Sequence, residues 1–322
     1  MKKSLSRRKF ISSSMLATTA LAAGKALTAS VVARESATKP APTNLLPTGK
    51  IGELRITRLI LGGNLLTRYQ HVRDLGYVSK LVKSYNTDTK IRETIELAEA
   101  SGINTLSVNI TPAVCKVLND HRKNGGKIQW ILYTTTDIEN FSKYRDDLRQ
   151  MADNGAEAIY IWGVHCDEYV TTGQLGIISK AVEEIKLLTV PCGLGAHGLQ
   201  TVQEVEKSQL PIDFYIKTLH HHRYPTAPRT GEATRITTEV PGYWCKNPEE
   251  TAAFMKTVRK PWIAFKVMAA GAIPPEDAFP YAFSNGADFV LAGMFDFDIA
   301  EDCELIRTAV AQCQTRPRPW VG

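Results

Sequence analysis

Three histidines close consecutive apolar runs: His165 after Ala158–Val164, His197 after Val190–Ala196, and His220 after Asp213–Leu219, with His222 shortly beyond. Imidazoles gathered at neighbouring strand ends can hold one divalent ion and leave a position open for water or substrate. Strand residues two apart share a face. Gly163, Gly193, Gly195 and Thr218 therefore fall on the histidine faces and should leave room there. The expected metal ligands are His165, His197, His220 and His222, with Asp167 or Glu168 as an added carboxylate. Two other readings stand beside this one: the histidines act without a metal as acids, bases or substrate ligands, or they only tie loops together.

Lys266 falls inside the apolar run Trp262–Met268, and Ala264 and Met268 share its face. An inward lysine in a dry barrel has a lowered pKa and can serve as base, electrostatic stabiliser or Schiff-base nucleophile. Lys217 has the opposite register to His220 and is expected at the periphery. His165, His197, Lys266 and Tyr133 are the catalytic candidates, and Asn64, Asn109, Arg223, Tyr243 and Trp244 the substrate-binding ones. Gly271 and Gly293 follow the last two runs, where backbone amides can hold a phosphate. Asp296 and Asp298 read as caps of the final helix.

These residues sit in a regular alternation of strand and helix. Expected strands are Arg58–Gly63, Ile103–Val108, Ile128–Tyr133, Ala158–Val164, Val190–Ala196, Asp213–Leu219, Trp262–Met268 and Asp288–Ala292. Each is followed by a helical pattern, the last being Ile299–Cys313. Continuous apolar runs such as Ile159-Tyr160-Ile161-Trp162 suit buried parallel strands. Eight such units in one domain fit an α/β fold of the (β/α)₈ TIM-barrel type. The absence of a Gly-x-Gly-x-x-Gly after the first strand argues against a dinucleotide-binding sheet. Residues 49–56 read as an N-terminal hairpin plugging the barrel. Long loops follow strand one (64–91, with a helix near Val72–Ser84) and strand six (220–247). Both leave the face where barrel active sites lie.

The start of the chain carries a separate message. Ser6-Arg7-Arg8-Lys9-Phe10-Ile11 and the mild apolar run Met15–Ala23 have the layout of a twin-arginine export signal. The run is too short and too rich in Ala and Thr for a membrane anchor. Residues 1–33 are the expected signal peptide, 34–48 a Pro/Thr/Ser-rich linker, and 49–322 a single barrel domain. The implied partner is the twin-arginine translocase, which moves folded proteins, and the destination is the periplasm. Six of the 39 lysines and arginines lie in residues 1–33, and the rest balance the 33 acidic residues. That balance removes the electrostatic case for nucleic-acid binding. The six scattered cysteines are expected to stay as thiols, because such a domain folds in a reducing compartment.

The chain resembles the aldo/keto-reductase barrels. The opening Leu54-Arg55-Ile56-Thr57-Arg58-Leu59-Ile60-Leu61-Gly62-Gly63, the approach Ala98–Thr105 and the run Ile159–His165 are similar to that family. The resemblance spans about residues 48–315 and implies a barrel that binds NADP(H). The departures bear on chemistry. The family's catalytic Asp would fall near Ser107 and its Lys near Thr134-Thr135, and its Tyr has no counterpart in Val108–Thr111. His165 alone matches the tetrad, and the family's basic patch for the cofactor phosphate is not recognisable after strand eight. Pro261–Lys266 and Ala287–Phe297 resemble a divergent exported branch.

The sequence thus points to an exported barrel enzyme acting on a small polar metabolite, a sugar or sugar derivative. Its chemistry would be metal-assisted or His/Lys acid–base: isomerisation, epimerisation, elimination or hydrolysis. The alternatives are an NADP-dependent oxidoreductase whose proton donor has moved to Tyr133 or Lys266, and a non-catalytic small-molecule binding protein.

Overall fold

A computed structural model describes residues 46–72, 75–227 and 245–322. An antiparallel hairpin, β1 (Thr48–Ile51) and β2 (Leu54–Thr57), precedes β3 (Leu59–Gly62). There follow α1 (Gly76–Tyr85), α2 (Asp88–Ala100), β4 (Thr105–Asn109), α3 (Pro112–Lys123), β5 (Gln129–Tyr133), α4 (Phe141–Asp153) and β6 (Ala158–Ile161). The second half runs α5 (Gly163–Thr171), α6 (Leu175–Lys186), β7 (Cys192–Ala196), α7 (Leu199–Ser208), β8 (Phe214–Thr218), α8 (Pro248–Met255), β9 (Trp262–Phe265), α9 (Pro275–Ser284), β10 (Phe289–Ala292) and α10 (Ile299–Gln312). Strands β3 to β10 close a parallel barrel in sequence order, β10 pairing back onto β3. This is the expected (β/α)₈ fold.

Alternation divides each strand between two cores. Ile60, Ile131, Tyr160, Phe214, Ile216, Ile263 and Phe289 point inward and pack on Ile51 and Ile56 of the hairpin, which plugs the N-terminal end. Leu61, Leu106, Trp130, Leu132, Leu194, Tyr215 and Trp262 point outward to the helix layer. Caps start two of the helices: Thr87 accepts from the Lys90 amide at 3.2 Å, and Thr111 from Val114 at 3.2 Å ahead of Pro112. Leu46 is buried in the outer core, so the fold takes in the last residues of the segment expected as a linker.

Beneath the barrel lies a buried ionic cluster. Asp288 is fully buried and accepts from Arg316 at 3.0 Å and Arg318 at 2.6 Å. Its oxygens also take the amides of Trp262 (2.9 Å) and Val321 (3.0 Å), tying the C-terminal segment to the barrel floor.

Two strands stop earlier than the sequence suggests. Strand β6 ends at Ile161, and Gly163 opens helix α5 instead of continuing the strand. The cause is close packing: a Cβ on Gly195 would stand 2.7 Å from the Gly163 nitrogen, so two glycines let α5 press onto β7. Strand β9 ends at Phe265, and Lys266 turns away in the left-handed region at φ 56°. Among the described residues no helix is long and apolar enough to cross a membrane. The expected signal, residues 1–33, and the candidates Tyr243 and Trp244 lie outside the described residues.

Candidate functional site

The C-terminal ends of β4 to β9 surround the mouth of the barrel. From β4 come Ser107 and Asn109, from β5 Tyr133, from β6 Tyr160, and from the residues just past β7 and β9 His197 and Lys266. His197 follows the inward parity of Gly193 and Gly195. The space expected above those glycines is filled: a Cβ on Gly193 would meet the Phe214 ring at 2.3 Å, and Gly195 faces Gly163.

His197 is held by Asp167, which α5 supplies from its second turn. One Asp167 oxygen accepts the His197 amide at 2.8 Å and Nδ1–H at 2.9 Å. The other accepts the Gly198 amide at 3.1 Å and the Thr201 hydroxyl at 2.6 Å, capping α7. A carboxylate accepts only, so the proton sits on Nδ1 and Nε2 keeps its lone pair. Burial first, then the Lys266 charge, push this imidazole down to about 4 against the pull of Asp167. It is therefore a neutral base at neutral pH. Phe265 packs 5.4 Å from its ring.

Lys266 does not occupy a strand position. Its positive φ, followed by left-handed Ala269, Ala270 and Gly271, bends the chain so that the ammonium comes within electrostatic range of His197. Each non-glycine residue in that region costs about 1–2 kcal/mol, a strain typical of sites that need a fixed geometry. Lys217 is likewise closer to the site than its register suggested. It is wholly buried and donates to the Thr218 carbonyl and hydroxyl, both at 3.0 Å. The Thr218 hydroxyl in turn donates to the His197 carbonyl at 3.1 Å.

The other predicted residues disperse. His165 lies on α5, not at a strand end, with its ring against Trp162 (4.9 Å) and Tyr169 (6.2 Å). Burial keeps its pKa below the ordinary value, with Asp137 and Glu168 pulling the other way. His220 donates Nδ1–H to the His221 carbonyl at 3.2 Å, and its buried Nε2 has no partner. His222 donates Nε2–H to the Cys245 carbonyl at 2.7 Å. The expected four-histidine metal centre is therefore not assembled, and among the described residues no three His, Cys, Asp or Glu side chains converge as ligands. The reason is the early helix α5, which carries His165 out of line and turns Asp167 toward His197. Asp167 was expected as a metal carboxylate; its contacts with His197, Gly198 and Thr201 span some thirty residues of sequence and leave no local motif.

Tyr133 lies tilted against Tyr160, ring centres 4.9 Å apart, and burial pushes its phenol up to about 12, so it stays protonated as a hydrogen-bond donor. Asn109 Oδ1 is buried with no protein hydrogen-bond partner, while the Ser107 hydroxyl lies against the Tyr160 phenol. Asn64 opens the turn after β3, where its carbonyl takes the Tyr69 amide at 3.0 Å. Arg223 is drawn outward to α9, 3.9 Å from Asp277 and 5.5 Å from the Tyr281 ring centre, so it is a rim residue.

The nicotinamide alternative places a phosphate near Gly271 and Gly293. Gly271 is left-handed at φ 76° within the strained turn. Beyond Gly293 the chain presents Asp296, Asp298, Glu301 and Asp302. Burial, reinforced by these neighbours, raises the Asp298 carboxyl and lifts that of Asp302 to about 7. A helix N-terminus already crowded with carboxylates repels a phosphate. These carboxylates disfavour a phosphate at the start of α10.

No protein-family model matches the chain, and no curated protein matches it in sequence. Solved structures do share its fold. An aldo-keto reductase of Bacillus halodurans in its holo form superposes with a TM-score of 0.54 at 12% identity, covering 84% of this chain and 97% of that one. An aldo-keto reductase of Pseudomonas aeruginosa gives 0.53 at 13%, covering 83% and 98%. A variant of the protein Gox0644 in complex with NADPH gives 0.52 at 12%, covering 84% and 94%. Identities this low establish the barrel architecture, and fold does not fix chemistry.

Proposed function

We propose that this protein is an enzyme that moves protons on a small polar metabolite, with His197 as base and Lys266 as electrostatic stabiliser. The observation that carries the proposal is the Asp167–His197 pair at 2.9 Å at the C-terminal mouth of the barrel, with the Lys266 ammonium 5.9 Å from the Phe265 ring that packs on His197. His197 Nε2 takes a proton from a substrate C–H or O–H. The electron pair left behind settles on the substrate oxygen, where the Lys266 ammonium offsets the charge. Asp167 stabilises the imidazolium, which then returns the proton to a neighbouring atom on the same face. The sequence balances without a redox partner and describes isomerisation. We also propose that residues 1–33 direct export through the twin-arginine pathway, on the strength of Arg7-Arg8 and the mild apolar run behind them.

The test is solvent deuterium wash-in, followed by proton NMR, on a panel of hydroxy-aldehydes and hydroxy-ketones. Wild-type protein should exchange the proton next to the carbonyl, and His197→Asn should lose about 10²–10⁴-fold of the rate. Exchange that survives the substitution would sink the assignment. NADPH-dependent reduction of the same panel without exchange would replace it with the oxidoreductase reading. For export, Arg7→Lys with Arg8→Lys should strand the chain in the cytoplasm; unchanged periplasmic yield would refute that part.

A further inference from the structure

The rim of the mouth between the first and last βα loops carries an aromatic surface that the acid–base site does not use. Helix α1 presents Tyr77, Leu81 and Tyr85 at four-residue spacing, hence on one face. All three are exposed, Tyr77 at 63% and Leu81 at 60%. This stripe is about 12 Å long and ends against the loop after β10. There Phe295 and Phe297 stack at 5.1 Å, 11° from parallel, and Tyr85 meets both edge-on at 5.9 and 6.1 Å. Phe295 covers one face of Phe297, and at 67% exposure the other face is open to solvent.

A carboxylate completes the surface. Asp296 accepts from the Tyr85 hydroxyl at 2.7 Å and from Lys90 at 3.1 Å, which fixes α1, α2 and the β10 loop together. A carboxylate offers about four acceptor positions; with the Asp296 backbone amide also bonded, one remains for a hydroxyl donor from outside. An open aromatic face is electron-rich and attracts the weakly positive C–H face of a sugar ring. A fixed carboxylate at its edge takes one of the ring's hydroxyls. Asn109 Oδ1, an unpartnered acceptor in the mouth, is likewise suited to a hydroxyl partner.

We propose that the rim formed by Tyr77, Leu81, Tyr85 and Phe297, with Asp296 at its edge, is a saccharide subsite that holds a second sugar unit of a substrate whose reacting unit sits in the mouth. The inference rests on the mouth being the active site, and it names the substrate as a disaccharide or longer glycoside. A second protein copy is disfavoured by size. Four partly exposed side chains fall well short of the roughly 800 Å² per partner that a specific protein interface buries.

Saturation-transfer NMR on the full chain with cellobiose, maltose and lactose tests this. Transfer to the ring protons of at least one disaccharide is expected. Phe297→Ala should weaken its binding about five- to tenfold with the melting temperature unchanged, since that ring is exposed. His197→Asn should bind the same sugar as wild type does, which separates failure of the subsite from failure of the acid–base assignment. No transfer from any of the three, equal binding by Phe297→Ala, or a Phe297-dependent dimer or vesicle association without sugar binding would overturn the proposal.

Discussion

Asp167 and His197 come from different βα units, yet a single Asp167 oxygen accepts both the backbone amide and the Nδ1–H of His197, at 2.8 and 2.9 Å. The aspartate thus sets the tautomer, the ring orientation and the start of α7 together. Asp167→Asn would turn a donor either toward the His197 amide and ring or toward the Gly198 amide and Thr201 hydroxyl, leaving the donors on that side short of an acceptor. Turnover should fall about 10²–10⁴-fold, and stability by about 1–3 kcal/mol. Steady-state kinetics alongside urea denaturation measures both, and a fully active Asp167→Asn protein would show that His197 acts without it.

Lys266 is the charge that His197 feels most after burial. Lys266→Met should slow the chemical step and move the His197 pKa upward, from about 4 toward its ordinary value. Nitrogen-15 NMR of the imidazole reads that shift directly. An unmoved resonance would place the ammonium too far away to take part.

The buried histidines make the fold acid-sensitive. Burial depresses His197 to about 4 and His220 to about 3, and it lowers His165. An unfolded imidazole titrates at about 6.5, so between that pH and the folded values the unfolded chain binds more protons. Stability from these groups is complete above about pH 6.5 and drains away as pH falls through the folded values. Melting temperatures recorded from pH 8 to pH 3.5 should decline below about 6.5. His220→Leu should flatten part of that slope, and an identical slope would clear His220 of the effect.

Asp302 works in the opposite direction. It is buried, and burial with Asp298, Glu301 and Glu276 nearby raises its carboxyl to about 7. The folded state therefore holds a proton that the unfolded chain has already released, and stability is lost as pH rises from about 4 toward 7. Asp302→Asn should raise the melting temperature at pH 8 and leave it unchanged at pH 4 in differential scanning calorimetry. Equal gains at both values would point to packing instead of charge.

The Asp288 cluster on the floor of the barrel should govern stability and leave catalysis alone. Asp288→Asn leaves two buried guanidinium groups, Arg316 and Arg318, short of their counter-charge. Breaking a buried pair from one side destabilises by about 3–5 kcal/mol. Chemical denaturation should show that loss, while kcat measured well below the melting temperature stays near wild type. A large drop in kcat with intact stability would link the floor to the mouth.

Much of the architecture could be read from the chain. Continuous apolar strands, regularly spaced helices and the Gly49–Ile56 hairpin signal are local properties, and they led to the closed eight-strand barrel. The positions of His197 at the end of β7 and Tyr133 at the end of β5 followed from the same pattern. Two errors have a common origin. Extending strand parity beyond Ile161 put His165 in line with the other histidines, and extending it beyond Phe265 placed Lys266 mid-strand. Periodicity contains no signal for a helix that starts early because two glycines let it approach β7, or for a backbone that enters the left-handed region.

The sequence by itself determined which residues are apolar, where they alternate and hence how many strands close the barrel, because burial of a periodic face is decided over short stretches of chain. Only the tertiary structure decided what the polar residues meet. Asp167 became the partner of His197 rather than a metal ligand, Lys217 came to lie wholly buried near His197, and Lys266 reached the mouth through a strained turn. Each of these depends on distances between segments far apart in sequence, and those distances are set by how helices and loops pack on the finished barrel.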